Sequence, residues 1–129
     1  MVHQPRSARS GFTLIELLVV LTIMATLLSI VAPRYFESVG RAKEATLKSD
    51  LRMLRECIDK YKADTGKYPE ALSKLVEARY IHAIPVDPMT DRDDTWLIVP
   101  NPDGSTLGVY DIHSAAEGVG RDGKPFKQW

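Results

Sequence analysis

Glu16 is the residue whose chemistry most needs a partner. It stands in RSGFTLIELLVV, residues 9–20, with hydrocarbon side chains on both sides. From Leu14 to Ala32 the sequence reads LIELLVVLTIMATLLSIVA, and Glu16 is the only ionisable residue in it. A carboxylate in such surroundings costs on the order of a few kcal/mol, depending on depth. Two outlets exist. The side chain can turn back toward headgroups and the N–H groups of its own helix start. Alternatively, it can meet a cation supplied by another molecule, which neutralises both charges where an unmatched one is penalised.

No other set of residues suggests reaction chemistry. His3, His82 and His113 share no metal-ligand spacing and are expected at the surface or in loops. Cys57 is the single cysteine, so it forms no intrachain disulfide, and its place beside an apolar helical stripe predicts a packed thiol. Asp91, Asp93 and Asp94 have Arg92 among them and read as an exposed turn. There is no glycine-rich phosphate loop and no paired catalytic carboxylate, so no catalytic residue and no enzymatic activity are expected. The 17 basic and 17 acidic side chains cancel, which gives no electrostatic ground for binding nucleic acid.

The elements that must hold Glu16 follow from pattern. At 129 residues the chain is one domain plus at most one appendage. The run from Leu14 to Ala32, as a helix, covers roughly 30 Å, the hydrocarbon thickness of a bilayer. The preceding MVHQPRSARSG holds Arg6 and Arg9 and no acid, so the positive-inside rule keeps the N-terminus cytoplasmic and sends the remainder across. The run exceeds the ~7–15 residues of a secretory h-region. A cut after Ala32 would put bulky Ile30 three positions before the break and Pro33 just after it, which excludes signal cleavage there.

Past Pro33 the pattern becomes amphipathic. Leu47, Leu51, Leu54, Ile58 and Tyr61 form one helical stripe, loosely extended backwards by Val39, Ala42 and Ala45. Arg41, Lys43, Glu44, Lys48, Asp50, Arg52, Arg55, Glu56, Asp59 and Lys60 read as a solvated surface. Pro33 can kink a helix without ending it, so Phe12 to about Lys62 is predicted as one long, bent helix of about 75 Å. A turn at Thr65-Gly66 leads to a short helix over about 69–80, with Leu72, Leu75, Val76 and Tyr80 on one side. IPVDP follows as an extended connector. TWLIVPN and STLGVYDI read as strands joined through NPDGS, and SAAEGVGRDGKPFKQW as a closing loop. The expected fold is α+β: a long helix whose amphipathic back half packs on a small antiparallel sheet.

GFTLIELLVV, behind a short basic leader and ahead of Pro33, is similar to the processing signal of type IV pilins and pseudopilins. That resemblance implies a leader of residues 1–11, a membrane and assembly helix over 12–33, and a periplasmic head over 34–129. It implies cleavage between Gly11 and Phe12 by a prepilin peptidase, and N-methylation of Phe12. The new amine on Phe12 would then sit against Glu16 of a neighbouring subunit. Further on, Tyr68-Pro69, Pro85-Val86-Asp87-Pro88, Tyr110-Asp111-Ile112-His113-Ser114 and Trp129 resemble, in the same order, the G-type pseudopilins of type II secretion.

Members of that family usually hold calcium in the C-terminal loop through aspartates. Here the loop is shorter: Glu117 and Asp122, with Ser114, fall well below the six or more oxygens calcium requires. No metal or other cofactor is therefore expected, and Phe126 and Trp129 are expected to pin the loop by apolar packing. The resemblance implies a homopolymer with other pseudopilins as companions, a secretion platform in the bacterial inner membrane as partner, and a single-pass location with the head in the periplasm. The alternative is a minor or major type IV pilus subunit, against which stands the lack of a second cysteine for the disulfide loop of major pilins. A chain whose helix is only a tether for a binding module or enzyme is the reading from another class, and it would tolerate Glu16→Leu.

Overall fold

Thr13 starts the first helix. In the computed structural model, which describes residues 1–2, 10–104 and 107–129, helix α1 runs Leu14–Thr65 with Pro33 inside it. It begins two residues later than the pattern suggests because Thr13 is the cap. It ends at Thr65 because Gly66 takes φ 77°, a left-handed conformation that glycine adopts without a Cβ clash. The Gly66 N–H still donates to the Lys62 carbonyl at 2.7 Å.

The chain divides into two units, Met1–Ser38 and Val39–Trp129. In the first, the apolar side chains of α1 are exposed along their length, and α1 is long and apolar enough to cross a membrane. Its hydroxyls are turned inward on the helix: Thr22 donates to the Leu18 carbonyl and Thr26 to the Thr22 carbonyl at 2.8 Å each, and Ser29 to Thr26 at 2.7 Å. Hydrocarbon solvent demands such internal satisfaction of polar groups.

In the second unit, Leu47, Leu51, Leu54 and Ile58 of α1 are buried, with Tyr61 half-buried beside them, as the stripe predicts. The backward extension holds only at Val39, which is half-covered. Ala42 and Ala45 are exposed, while Lys43 and Glu44 are half-covered. Helix α2 spans only Leu72–Glu77. At its start the Pro69 carbonyl accepts from Val109 N–H at 2.7 Å and Ala71 is extended, so the stretch from 69 is held to a strand rather than wound. At its end Tyr80 N–H reaches back to the Leu75 carbonyl at 2.9 Å and Arg79 N–H to Val76 at 3.1 Å, a Schellman closure with Arg79 at φ 63°.

Strands β1 (Trp96–Pro100) and β2 (Val109–Ser114) form a two-stranded antiparallel sheet, with Trp96 opposite Ser114 and Val99 opposite Asp111. Pro100 then pairs with Val109, so Tyr110 is the extra residue of a bulge. That single insertion explains why Val109 and Ile112, three apart, both point into the core. β2 starts later than STLGVYDI suggests and continues through His113 and Ser114; Ser105 and Thr106 lie outside the described residues. Leu72, Leu75, Ile81, Trp96, Ile112, Phe126 and Trp129 complete the core around the α1 stripe. A 3-10 turn over Phe126–Gln128 closes the tail.

Candidate functional site

At the start of α1, Thr13 and Glu16 cap one another. Glu16 N–H donates to Thr13 Oγ1 at 3.2 Å, and Thr13 N–H donates to Glu16 Oε2 at 3.4 Å. This is a capping box: two main-chain donors that the helix leaves unsatisfied are met by the side chains of the first and fourth residues of TLIE. The carboxylate also lies at the positive end of the helix dipole. Ser10, Gly11, Phe12 and Glu16 line one shallow cleft, and Phe12 is 90% exposed. Phe12, the residue expected to carry the new amine, therefore lines the same cleft as Glu16. Arg6 and Arg9 of the expected leader lie outside the described residues.

The local cap does not exhaust Glu16. It uses Oε2 on a long bond and leaves Oε1 without a hydrogen bond from the residues described. A carboxylate accepts several donors, so the same side chain can start its helix and still receive a cation from outside.

The second built region is the C-terminal loop, gripped by α1. Arg55 donates from Nε to Asp111 Oδ1 at 2.6 Å, and from Nη2 to the Ile112 carbonyl at 2.9 Å and the Trp129 main-chain oxygen at 2.8 Å. Glu44 pairs with Arg121 at 3.9 Å, and Lys48 reaches Asp122 at 4.0 Å while lying 4.4 Å over the Trp129 ring. Three charged residues expected to be merely solvated therefore hold the tail. Position 55 is four past Leu51 and three before Ile58, on the edge of the buried stripe, and that spacing was the available signal.

His113 also departs from expectation. It sits in β2, half-buried, with Nδ1 against the Trp129 main-chain oxygen and Nε2 3.8 Å from Asp111. His82 is exposed, as expected, and His3 lies outside the described residues. Cys57 is a packed thiol facing the Tyr80 carbonyl at 3.7 Å; burial foremost, then Glu56, pushes its pKa up, away from a nucleophilic thiolate. Asp91, Asp93 and Asp94 are exposed, and Arg92 grips Asp94 with two bonds of 2.8 and 2.6 Å that hold its carboxyl below the usual range.

Asp87, between two prolines, is fully buried, and its role was not evident from sequence. Its Oδ1 accepts from Met89 N–H at 2.8 Å and its Oδ2 from the buried Ser114 hydroxyl, which ties the connector to the end of β2. Trp96 Nε1 adds a bond to the Pro85 carbonyl at 2.9 Å.

These engagements decide how the loop stands toward calcium. Ser114 is buried and committed to Asp87, while Glu117 is paired with Lys127 at 2.5 Å. Asp122 accepts from Lys124 N–H at 3.0 Å through one oxygen and faces Lys48 with the other. Among the described residues no three His, Cys, Asp or Glu side chains gather around a common point. The residues present do not fit a calcium site. As expected, Phe126 and Trp129 are buried, edge to face with ring centroids 5.0 Å apart.

A family model for the prokaryotic N-terminal methylation motif matches residues 6–32, the stretch that contains Gly11, Phe12 and Glu16. A second, for protein G of the type II secretion system, matches residues 34–125. The chain belongs to the type II secretion protein G family. The type II secretion system core protein G of Klebsiella michiganensis is 33% identical over 136 aligned positions, covering 93% of this chain and 89% of that protein. Its counterpart in Pseudomonas aeruginosa is 31% identical, covering 92% and 88%, and that of Escherichia coli is 33% identical, covering 81% and 79%. No solved structure gives a significant match. The family is named for a secretion apparatus and not for a reaction, and the α+β fold with a long apolar-fronted helix is the architecture expected for it.

Proposed function

We propose that this protein is a structural pseudopilin: a subunit that polymerises from the inner membrane into a periplasmic fibre serving type II secretion. Residues 1–11 are its leader, 12–33 its membrane and assembly segment, and 34–129 its periplasmic head. A prepilin peptidase cuts between Gly11 and Phe12, and the new Phe12 amine is N-methylated. In the fibre that amine, still protonated, meets Glu16 of an adjoining copy. A cytoplasmic ATPase of the machine drives fibre growth and the chain itself catalyses nothing.

The observation that carries this reading is the pairing of an exposed apolar helix with one carboxylate whose Oε1 accepts no hydrogen bond among the described residues and which lines one cleft with Gly11 and Phe12. A tether needs only the first of these features. In the uncut chain the Phe12 nitrogen is a neutral amide, so cleavage gives a residue that lines the cleft a cationic amine. Pairing then favours the assembled register, because apart each subunit carries two charges in or near hydrocarbon. Mass spectrometry of the membrane fraction tests the processing: the expected mature chain begins with methylated Phe12, and a chain that still begins at Met1 would overturn the reading.

A further inference from the structure

The C-terminal loop carries its own cations. Between Ser114 and Trp129 the sequence holds three basic residues, Arg121, Lys124 and Lys127, against two acids, Glu117 and Asp122. A divalent cation would enter a stretch that is already net positive. Both acids, moreover, face ammonium groups: Glu117 takes Lys127, ten residues on, and Asp122 faces Lys48 from α1. The loop is also closed by main-chain bonds, from Gly120 N–H to the Lys124 carbonyl at 2.8 Å and from Phe126 N–H to Gly118 at 3.2 Å, with Val119 bridging Pro125.

The anchors to α1 fall at positions 44, 48 and 55, spacings of four and seven that place them along one edge of the helix. Glu44 holds Arg121, Lys48 holds Asp122 and covers Trp129, and Arg55 holds the Trp129 main-chain oxygen. Cross-links within the loop and from the loop to α1 are thus present as side-chain pairs.

We infer that Lys127 and Lys48 replace a divalent cation in this loop, so that the Val39–Trp129 unit folds and keeps its tail in place without calcium. The substitution is of function and not of identical geometry: one ammonium bridges Glu117 within the loop, and the other fastens Asp122 and the Trp129 ring to α1. The inference is independent of how the N-terminal segment assembles, because none of the residues involved precedes Glu44.

The test uses the full chain in detergent micelles. Thermal unfolding followed by tryptophan fluorescence, for which Trp129 is a local reporter, is measured in 5 mM EGTA and in 5 mM calcium chloride. The expected midpoints agree within about 1 °C; a midpoint lower by 5 °C or more in EGTA would overturn the inference. In parallel, a Lys48→Gln, Lys127→Gln double variant is compared by amide hydrogen exchange in EGTA. Exchange at Gly120 and Phe126 is expected to quicken roughly three- to tenfold, the scale of two exposed ion pairs acting together, while that of the Leu51–Ile58 amides stays unchanged. Unchanged exchange at Gly120 and Phe126 would show that the lysines do not close the loop and would likewise overturn it.

Discussion

Replacing Arg55 by Met should loosen the head more than any other exposed-face substitution on α1. The guanidinium makes three bonds to three separate residues, of 2.6, 2.9 and 2.8 Å. A hydrogen bond to a charged group contributes about 1.5–3 kcal/mol when shielded. The Arg55 side chain is 37% exposed and that of Asp111 30%, so solvent screening reduces each bond to roughly 1 kcal/mol. Asp111 keeps the Ile112 N–H at 2.8 Å, so its carboxylate is not left without a donor, and Met retains the apolar stem contacts. The expected net loss is about 2 kcal/mol. For a unit the size of Val39–Trp129, that lowers Tm by roughly 8–16 °C. Near-ultraviolet circular dichroism of the full chain in micelles isolates the head, because the far-ultraviolet signal is dominated by α1. Arg55→Lys keeps the charge but cannot fork to three acceptors, and should recover less than half of the loss. A fall below 3 °C for Arg55→Met would refute the assignment of Arg55 as the clamp on the tail.

Two further substitutions probe the same unit. In Gly120→Ala the new Cβ would lie 2.2 Å from Trp129 Cζ2, so the ring must move; a loss of about 1–3 kcal/mol and a red-shifted tryptophan emission are expected. Asp50 has its pKa raised, first by burial and then by Asp87. The folded state therefore holds this proton more tightly than the unfolded chain, and ionising Asp50 costs stability as pH rises from 3.8 through the raised value. Asp50→Asn should raise Tm at pH 7 and change it less at pH 3.5, as followed by thermal melts at the two pH values.

The N-terminal region was legible because its constraints are local. An unbroken apolar run fixes the helix whatever surrounds it, although the Thr13–Glu16 capping box that sets its start at Leu14 went unread in TLIE. The Leu47–Ile58 stripe was legible for the same reason, since period alone separates its faces. What escaped depends on contacts distant in sequence. Arg55 and Ile112 are 57 positions apart, and nothing in the pattern around Arg55 states which carbonyls await it. Asp87 looked like a connector residue because its partner, Ser114, lies 27 positions on. His113 was misplaced because β2 runs two residues beyond its most apolar part, and α2 was overestimated because Pro69 is recruited by Val109.

The charge of the Glu16 carboxylate can be removed without removing its role in the capping box. Gln at the fourth position of the box keeps the reciprocal bonds to Thr13 but removes the charge. Glu16→Gln should therefore leave α1 and leader cleavage intact, as judged by circular dichroism and mass spectrometry. It should nonetheless reduce fibres counted by electron microscopy at least tenfold, the effect of about 1.4 kcal/mol or more per subunit contact. Wild-type numbers of fibres from a processed Glu16→Gln chain would mean that Glu16 only caps its own helix, and would contradict pairing between neighbouring subunits.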